Sequence, residues 1–478
     1  MLRTRTSAKA VPTETSLPSP ASSFHGNPDP PLSQVLAKIR SIDLDNDTAS
    51  AVEVAIGFER SNWAGYSVLS DSFYTVVPEN ASSATPGSIL KVENYMNSSL
   101  YTLAPNVALS RILFQSANAN ESAVPASAFI LWPWNPRKFK GIEGFPVVSW
   151  AHGTSGWSGE CGPSHIRNLW YQFSAPFALA LQGYVVVAPD YAGLGLDHDA
   201  KGNRIPHQYL ANNAAGYDLI YAAKAAQEAY PQLSKEFVVM GHSQGGGAAW
   251  GAAQIQAEKH FSGYLGTIAG SPTSAAQIDG LKAAPVSTFS AGLLPTIGQA
   301  LSSIFPSFRL SDWLTAKGVA RTNLLQELQG CQSTRLELLS SAPAADLIVP
   351  DWTSTWYLDA FNNLTGTGGK PISEPMLVLQ GTADPSVNVT FTDTAVNETC
   401  SAYPESQIEY VKWTGVSHVP VLFAAQTYWL DWIADRFSGK GCQRGCTEQT
   451  MSPALPVGAY QKELAYFLEY PLYGYETA

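Results

Sequence analysis

The sequence predicts an α/β fold, in which a mostly parallel central sheet carries a helical cap as an insertion. From residue 145 onward, short continuous apolar runs alternate with longer segments of helical periodicity. Continuous apolar strands are typical of a parallel sheet that helices cover on both faces. This alternation lapses into helical segments between residues 273 and 350 and then resumes, which indicates an insertion. The 45% hydrophobic content is sufficient for a large core.

Apolar periodicity predicts helices, and alternating or continuous apolar runs predict strands. The elements predicted before the regular part are helices at 32–40 and 47–60 and strands at 107–114 and 127–132. Those of the regular part are strands at 145–151, 184–189, 237–240, 264–269, 375–380 and 408–413, and helices at 167–182, 212–228, 244–259 and 421–437.

These elements divide the chain into five regions. The expected regions are a disordered leader at 1–30, the first part of the core at 31–272, the cap at 273–350, the second part of the core at 351–440, and a C-terminal segment at 441–478. The leader is rich in Ser, Thr and Pro, a composition that disfavours a packed core. The last segment carries many aromatic residues, so we expect it to dock onto the core.

Composition excludes several classes of protein. The residues are 45% hydrophobic and only 14% charged, so an intrinsically disordered chain is excluded. The net charge is −11. Lys and Arg form no cluster, and nucleic acid is therefore not an expected partner. A transmembrane helix would need about 18 consecutive apolar residues, and the sequence has no such run.

Cysteines and glycosylation signals favour a secreted protein. The five cysteines include no CxxC pair, so a zinc site is not expected. Acceptor sequences for N-glycosylation begin at Asn46, Asn80, Asn97, Asn120, Asn363, Asn388 and Asn397. The first 30 residues contain no apolar signal-peptide core, and an intracellular location is the alternative.

The strongest local motif is Gly-His-Ser-Gln-Gly at 241–245, which lies between a predicted strand and a predicted helix. In this context GxSxG forms a strained turn that projects the serine hydroxyl from the edge of a sheet. Ser243 is therefore the candidate nucleophile. A serine needs a base, usually a histidine oriented by a carboxylate.

Chain order selects the base and the acid. In α/β-hydrolases the serine is followed first by the acid and then by the histidine. Only His260 and His418 follow Ser243, and His260 ends the helix that begins at the serine. His418, in a loop after the last predicted strand, is the candidate base. Asp384 directly follows the strand at 375–380 and is the candidate acid. Its competitors are Asp351, Asp359 and Asp393.

The oxyanion of a tetrahedral intermediate needs preorganised N–H donors. The first is the backbone of Gln244, which follows the nucleophile. The second comes from the glycine-containing segment 149–156, where Gly153 and Thr154 are the candidates. His152 precedes the serine in the chain and is assigned a role in shaping this loop. This chemistry requires neither a metal ion nor an organic cofactor.

The cap contains a candidate acyl-binding face. Its members recur at helical spacing, with a break allowed at Pro295: Leu293, Leu294, Ile297, Leu301, Ile304 and Phe305. We assign substrate binding to Leu293, Leu301 and Ile304. An ordinary packed helix face is the alternative.

Several motifs together resemble the fungal secretory lipases, the lipase A-like branch of the α/β-hydrolases. They are WAHGTSG at 150–156, CGPS at 161–164, VVVAPDYAGLG at 185–195, PHQYL at 206–210, GHSQGG at 241–246, GSPTS at 270–274, QGTADPSV at 380–387 and DRFSGKGC at 435–442. The resemblance implies an α/β-hydrolase fold, a helical cap, a mobile C-terminal flap, and triacylglycerol or simpler ester substrates. It also implies disulfides that join Cys161 to Cys331 and Cys400 to either Cys442 or Cys446.

The function predicted is hydrolysis of carboxylic esters, either lipids or other hydrophobic esters, through an acyl-enzyme intermediate. Such a lipase would contact a lipid interface transiently, and the sequence indicates no oligomeric state. One alternative is a short-chain esterase or acyltransferase that acts on a small natural product. Another is a non-catalytic binding protein on a hydrolase scaffold, although the three triad residues in the required order argue against it.

Overall fold

The computed structural model describes residues 32–462, and ten strands of this range form one sheet. The strands are β1 (Ile89–Glu93), β2 (Val107–Ala117), β3 (Ala123–Pro133), β4 (Phe145–Ala151), β5 (Val185–Pro189), β6 (Leu233–His242), β7 (Tyr264–Gly270), β8 (Met376–Gly381), β9 (Ile408–Trp413) and β10 (Thr447–Met451). Their order in the sheet is β1-β2-β3-β5-β4-β6-β7-β8-β9-β10. The leader expected at 1–30 lies outside the described residues.

The seven strands from β5 to β10 in this order are parallel, and β1, β2 and β3 form an antiparallel edge. The register aligns the carboxyl ends of neighbouring strands. Ala151 pairs with Gly241, His242 with Gly270, and Gly381 with Trp413. The loops that leave β4, β6, β8 and β9 therefore emerge along one edge of the sheet, where ligands bind in open α/β folds. The α/β fold with a mostly parallel sheet is confirmed.

Helices cover both faces of this sheet. Those outside the cap are α1 (Leu32–Ile39), α2 (Asn46–Ser61), α3 (Ser72–Thr75), α4 (Pro176–Leu181), α5 (Asn212–Ala229), α6 (Gln244–Lys259), α13 (Val389–Ala402), α14 (Pro420–Ala424) and α15 (Gln426–Phe437). On one face, α4, α14 and α15 bury large side chains such as Phe177, Trp429 and Phe437. On the other, α5 and α6 bury small alanines and pack closely against each other. None of the helices within residues 32–462 has the length and apolar character needed to cross a membrane.

The cap is a helical layer with its own hydrophobic core. Its helices are α7 (Ala275–Ala283), α8 (Thr288–Ile304), α9 (Ala316–Glu327), α10 (Gln332–Arg335), α11 (Ala344–Leu347) and α12 (Tyr357–Thr365). Trp352 and Phe361 belong to this core, so the helical layer extends past residue 350, where the sequence places its boundary. Val52 and Ile56 of α2 pack into the same core, which anchors the cap to the start of the chain.

The helix predicted at 167–182 is wrong over its first half, because only Pro176–Leu181 is helical. Leu169, Trp170 and Tyr171 have positive φ angles of 54°, 43° and 66°. A right-handed helix needs negative φ, and the left-handed region is unfavourable for residues that carry a Cβ. Apolar periodicity does not detect this backbone conformation. Buried hydrogen bonds of Trp170 and Tyr171 hold the segment in place.

The helix predicted at 421–437 is interrupted at Ala425, which separates α14 from α15. The Leu422 carbonyl accepts a hydrogen bond from Trp429 Nε1 at this break. The expected C-terminal segment begins as irregular chain and adds β10 beside β9. Its aromatic residues Tyr466, Phe467, Tyr470, Tyr473 and Tyr475 lie outside the described residues, and Tyr460 is half exposed.

Two disulfides cross-link the chain. Cys161 pairs with Cys331, which joins the segment after β4 to the cap. Cys400 pairs with Cys446 and holds the start of β10 against α13, while Cys442 is a free thiol. The pairings implied by the resemblance are confirmed, and the structure decides between the two partners offered for Cys400.

Three buried carboxyl groups make the stability of the folded protein depend on pH. Burial raises the pKa of Glu59 to about 6, of Asp190 to about 6 and of Asp218 to about 7. At these three groups the folded state therefore binds more protons than the unfolded state between about pH 4 and 7, and their ionisation at higher pH opposes folding.

Buried histidines oppose this effect, because burial lowers the pKa of His152 and His207 to about 4 and stability rises with pH as their unfolded-state protons are lost. A comparison with Asp218→Asn isolates the carboxyl contribution, and we expect the free energy of unfolding of the native protein, relative to that of Asp218→Asn, to fall by on the order of 2 kcal/mol from pH 5 to pH 8. Urea unfolding of both proteins at a series of pH values measures this difference, and a rise over this interval would contradict the prediction.

Candidate active site

Ser243 occupies the sharp turn between β6 and α6. Its φ of 61° and ψ of −121° lie in a region that a residue with a Cβ rarely adopts. The Ser243 N–H donates to the Gly270 carbonyl (2.9 Å), and the Ser243 carbonyl accepts from Gly247 N–H (3.1 Å). Such strain persists only where the surrounding structure enforces it, and it is typical of functional sites. The predicted strand–turn–helix context of the motif is present.

Steric crowding explains why the motif has glycine at positions 241 and 245. A Cβ on Gly241 would lie 2.1 Å from the Gly245 carbonyl oxygen, and one on Gly245 would lie 2.1 Å from the Ala151 carbonyl oxygen. Both distances are far below van der Waals contact, so a larger residue at either position would force the backbones apart. The first turn of α6 consequently lies directly against the end of β4.

His418 and Asp384 meet at the same edge of the sheet. His418 Nδ1 lies 2.7 Å from Asp384 Oδ2, and the Asp384 side chain is completely buried. An ionised carboxylate can only accept hydrogen bonds, so the Nδ1 position carries the proton. The other ring nitrogen, Nε2, is then the one that can accept a proton. This is the arrangement that a general base requires.

The loop after β8 holds the Asp384 carboxylate in place. Oδ1 accepts from the backbone N–H groups of Ser386 (2.8 Å) and Val387 (2.9 Å), and Oδ2 also accepts from Gln380 Nε2 (3.2 Å). Burial acts to raise the pKa of Asp384, but the hydrogen bond and charge of His418, together with the Val387 N–H, outweigh it. The pKa of Asp384 is therefore lowered.

The competitors for the acid and the base are either bonded to other side chains or exposed to solvent. Asp393 accepts from Tyr410 Oη (2.8 Å) and Lys412 Nζ (3.3 Å). Asp359 pairs with Lys282 on the surface, and Asp351 is exposed. His260 is an exposed residue at the end of α6.

One candidate oxyanion donor, Gln244, directly follows the candidate nucleophile, and the others lie in the segment after β4. Gln244 is the first residue of α6, and the first N–H groups of a helix have no intrahelical acceptor. Because Gly245 packs on the carbonyls of Ala151 and His152, the segment that contains Gly153 and Thr154 adjoins this helix start. The His152 ring nitrogens lie 2.7 Å from the Gly153 carbonyl and 3.2 Å from the Asp190 carbonyl.

The structure adds three residues that the sequence analysis does not single out. His242 and Tyr171 form a hydrogen-bonded pair beside His418. His207 Nε2 lies 3.2 Å from Gln244 Nε2, next to the candidate oxyanion donor. His207 lies in the PHQYL motif and His242 in GHSQGG, so the motifs contain them, but only the tertiary contacts indicate a role.

The cap residues do not form one substrate face. The helix runs through Pro295 without a break. Leu301 has no exposed surface and packs inside the cap core, so it cannot line a substrate channel in this structure. Leu293 and Ile304 are partly buried at the margin of that core. The sequence repeat predicts one common helix face for these side chains. The structure instead divides them between the cap core and its margin.

An apolar cavity of about 770 Å³ adjoins the base loop. Its walls include residues 415–417 directly before His418, together with Pro420 and Phe423 of α14. Met451, Val457 and Tyr460 close it from the C-terminal segment. This cavity is lined mainly by apolar surface.

Comparisons with known proteins identify the same architecture. A family model described as the alpha/beta hydrolase family matches residues 150–428. No curated protein matches the chain.

Solved structures with this fold include lipases and esterases. Candida antarctica lipase A in its closed state aligns with a TM-score of 0.62 at 16% identity, over 79% of this chain and 87% of that chain. The rice cell wall degrading esterase of Xanthomonas oryzae aligns with a TM-score of 0.53 at 18% identity, over 74% of this chain and 98% of that one. A putative hydrolase from Legionella pneumophila aligns with a TM-score of 0.57 at 15% identity, over 74% and 98% of the two chains.

Proposed function

The chain belongs to the alpha/beta hydrolase family, and on this basis we propose that it is a serine-dependent carboxylic ester hydrolase. The observation that carries the proposal is the pairing of His418 Nδ1 with buried Asp384 Oδ2 at the same sheet edge as the strained Ser243 turn. Neighbours of the same fold that are lipases and esterases support this reaction class.

In the proposed mechanism Ser243 Oγ attacks the ester carbonyl while His418 Nε2 takes its proton. Asp384 orients the ring and stabilises the imidazolium that forms. His418 then returns the proton to the leaving alcohol, which completes an ester bond between the acyl group and Ser243. Water, deprotonated by His418, attacks this acyl-enzyme, and His418 returns the proton to Ser243 Oγ as the bond to the acyl group breaks and the acid is released. The backbone N–H of Gln244 and a donor from Gly153 or Thr154 hold the oxyanion in both steps.

The substrates that we propose are esters with an apolar acyl or alcohol group. The apolar cavity beside the base loop is large enough for such a group. Each CH₂ buried there would contribute about 0.8 kcal/mol to binding. Of the proposed cap residues, Leu293 and Ile304 keep exposed surface that a substrate chain could cover.

A secretory route is also proposed. Two disulfides support it, because such bonds persist mainly in oxidising compartments. Six of the seven asparagines that begin N-glycosylation sequences are exposed, and Asn97 is half-buried. With extracellular lipid as its substrate, the enzyme would bind transiently at a lipid interface.

A series of p-nitrophenyl esters from acetate to palmitate tests the proposed function and its substrate class. We expect kcat/KM to rise with chain length, since longer chains bury more apolar surface. Ile304→Trp should shift the optimum towards shorter chains and keep acetate turnover, whereas Ser302→Trp, at an exposed position of the same helix, should leave the profile unchanged.

Absence of hydrolysis with every ester would contradict the proposed reaction. An optimum at acetate would instead favour a short-chain esterase or acyltransferase. Equal loss at all chain lengths in Ile304→Trp, with a lower melting temperature, would show that Ile304 is core rather than substrate wall.

A further inference from the structure

A strained left-handed turn at Leu169, Trp170 and Tyr171 lies between the two halves of the candidate site. Three consecutive positive φ angles are unfavourable for residues that carry a Cβ, so the surroundings must hold this turn. Trp170 Nε1 donates to the Gly153 carbonyl (3.1 Å), on the oxyanion side. Tyr171 Oη lies 3.1 Å from His242 Nδ1, on the side of the base.

The acceptors in this network determine the direction of its hydrogen bonds. His242 Nε2 lies 3.1 Å from the backbone carbonyl of His418, which can only accept. Nε2 therefore carries the ring proton and donates it to this carbonyl. His242 Nδ1 is left with a lone pair, so the Tyr171 hydroxyl is the donor to it. The sequence of donors is Tyr171 Oη to His242 to the His418 backbone.

Burial keeps this network in one protonation state. It lowers the pKa of His242 well below the ordinary value for histidine, and the adjacent His418 lowers it further. Burial likewise raises the pKa of Tyr171. At neutral pH, His242 is thus uncharged and the Tyr171 hydroxyl keeps its proton and remains a donor. Although the rings of His242 and His418 are only 4.5 Å apart, His242 does not compete as the base.

The same phenol also borders the oxyanion segment. A Cβ on Gly153 would lie 2.4 Å from Tyr171 Oη, so glycine at this position leaves room for the hydroxyl. Tyr171 consequently touches the loop after β4 and, through His242, the loop that carries the base. The turn at 169–171 therefore contacts both parts of the candidate site.

We propose that Tyr171 and His242 are positioning residues that hold the His418 backbone, and hence its imidazole, in line with Asp384 and Ser243. This inference rests on the proposed hydrolase function. The two residues touch no reacting atom in this assignment. They act by keeping the base in the geometry that proton transfer needs.

Kinetics of Tyr171→Phe and His242→Phe test the proposal, because each removes hydrogen bonds and keeps a ring. We expect each to lower kcat by about tenfold or more with KM within about twofold, since substrate contacts are kept. The double variant should be no slower than His242→Phe, because the hydrogen bond of the phenol reaches the base only through His242. His242→Gln can still donate to the His418 carbonyl and should recover most of the loss.

A spectroscopic measurement separates this proposal from the proposed function. The low-field proton resonance of the Asp384–His418 hydrogen bond should shift or broaden in Tyr171→Phe. Tyr101→Phe is the matched control, since it removes a buried phenol hydrogen bond to the Ser164 carbonyl away from the base and should leave the resonance unchanged.

The outcomes are distinct. An unchanged resonance and full kcat in Tyr171→Phe, or additive losses in the double variant, would overturn the positioning role. A native protein that hydrolyses no ester would overturn the proposed function, while the resonance still reports on the positioning of His418.

Discussion

Ser243→Ala should lower kcat for ester hydrolysis by on the order of 10⁵–10⁶, because removing the nucleophile of a triad costs about as much as removing the whole triad. The fold should be unaffected. The strained turn depends on backbone contacts, namely the Ser243 N–H to the Gly270 carbonyl and the close approach of Gly245 to Ala151. Alanine preserves both of these contacts.

Active-site titration with a serine-directed phosphonate measures the same assignment independently of substrate choice. The native protein should take up one equivalent at Ser243, and Ser243→Ala should take up none and keep its melting temperature. Ser401→Ala, at an exposed position of α13, is the control and should react like the native protein. Retained turnover in Ser243→Ala, or a label on another residue, would contradict the nucleophile assignment.

Asp384→Asn should lower kcat by about 10⁴-fold, since it reverses the tautomer of the base. The N–H groups of Ser386 and Val387 demand an acceptor at Oδ1, so the amide oxygen of the asparagine must stay there. The amide nitrogen then faces His418 Nδ1 and donates to it. Nδ1 becomes the acceptor, the proton moves to Nε2, and Nε2 can no longer take the proton of Ser243.

Asp393→Asn is the matched control, because Asp393 pairs with Tyr410 and Lys412 and its loss should leave kcat nearly unchanged. Circular dichroism and melting temperature verify that both variants fold. If Asp393→Asn or Asp351→Asn were the damaging change, the acid would be misassigned.

Much of the architecture was predictable because its signals are local. Each of the strands β4 to β9 contains a segment rich in buried apolar residues, and α5 and α6 have helical periodicity. The incorrect predictions have a common cause, since each depends on tertiary contacts that sequence periodicity does not report. The segment 167–175 is apolar like a helix but has positive φ angles at three residues, which periodicity does not report. Leu301 and Ile304 belong to one predicted face, yet the cap core surrounds the first and leaves the second at its margin.

The same contrast between local patterns and tertiary contacts applies to the candidate site. The chain order of Ser243, Asp384 and His418 and the strand–turn–helix context of the serine were predictable from local pattern, because the backbone sterics of the turn select glycine at 241 and 245. The pairing of Cys400 with Cys446 rather than Cys442, and the contacts of Tyr171 and His242 beside His418, were visible only in the folded arrangement. These contacts join residues far apart in the chain, and their distances depend on how sheet, cap and loops pack, which no local pattern encodes.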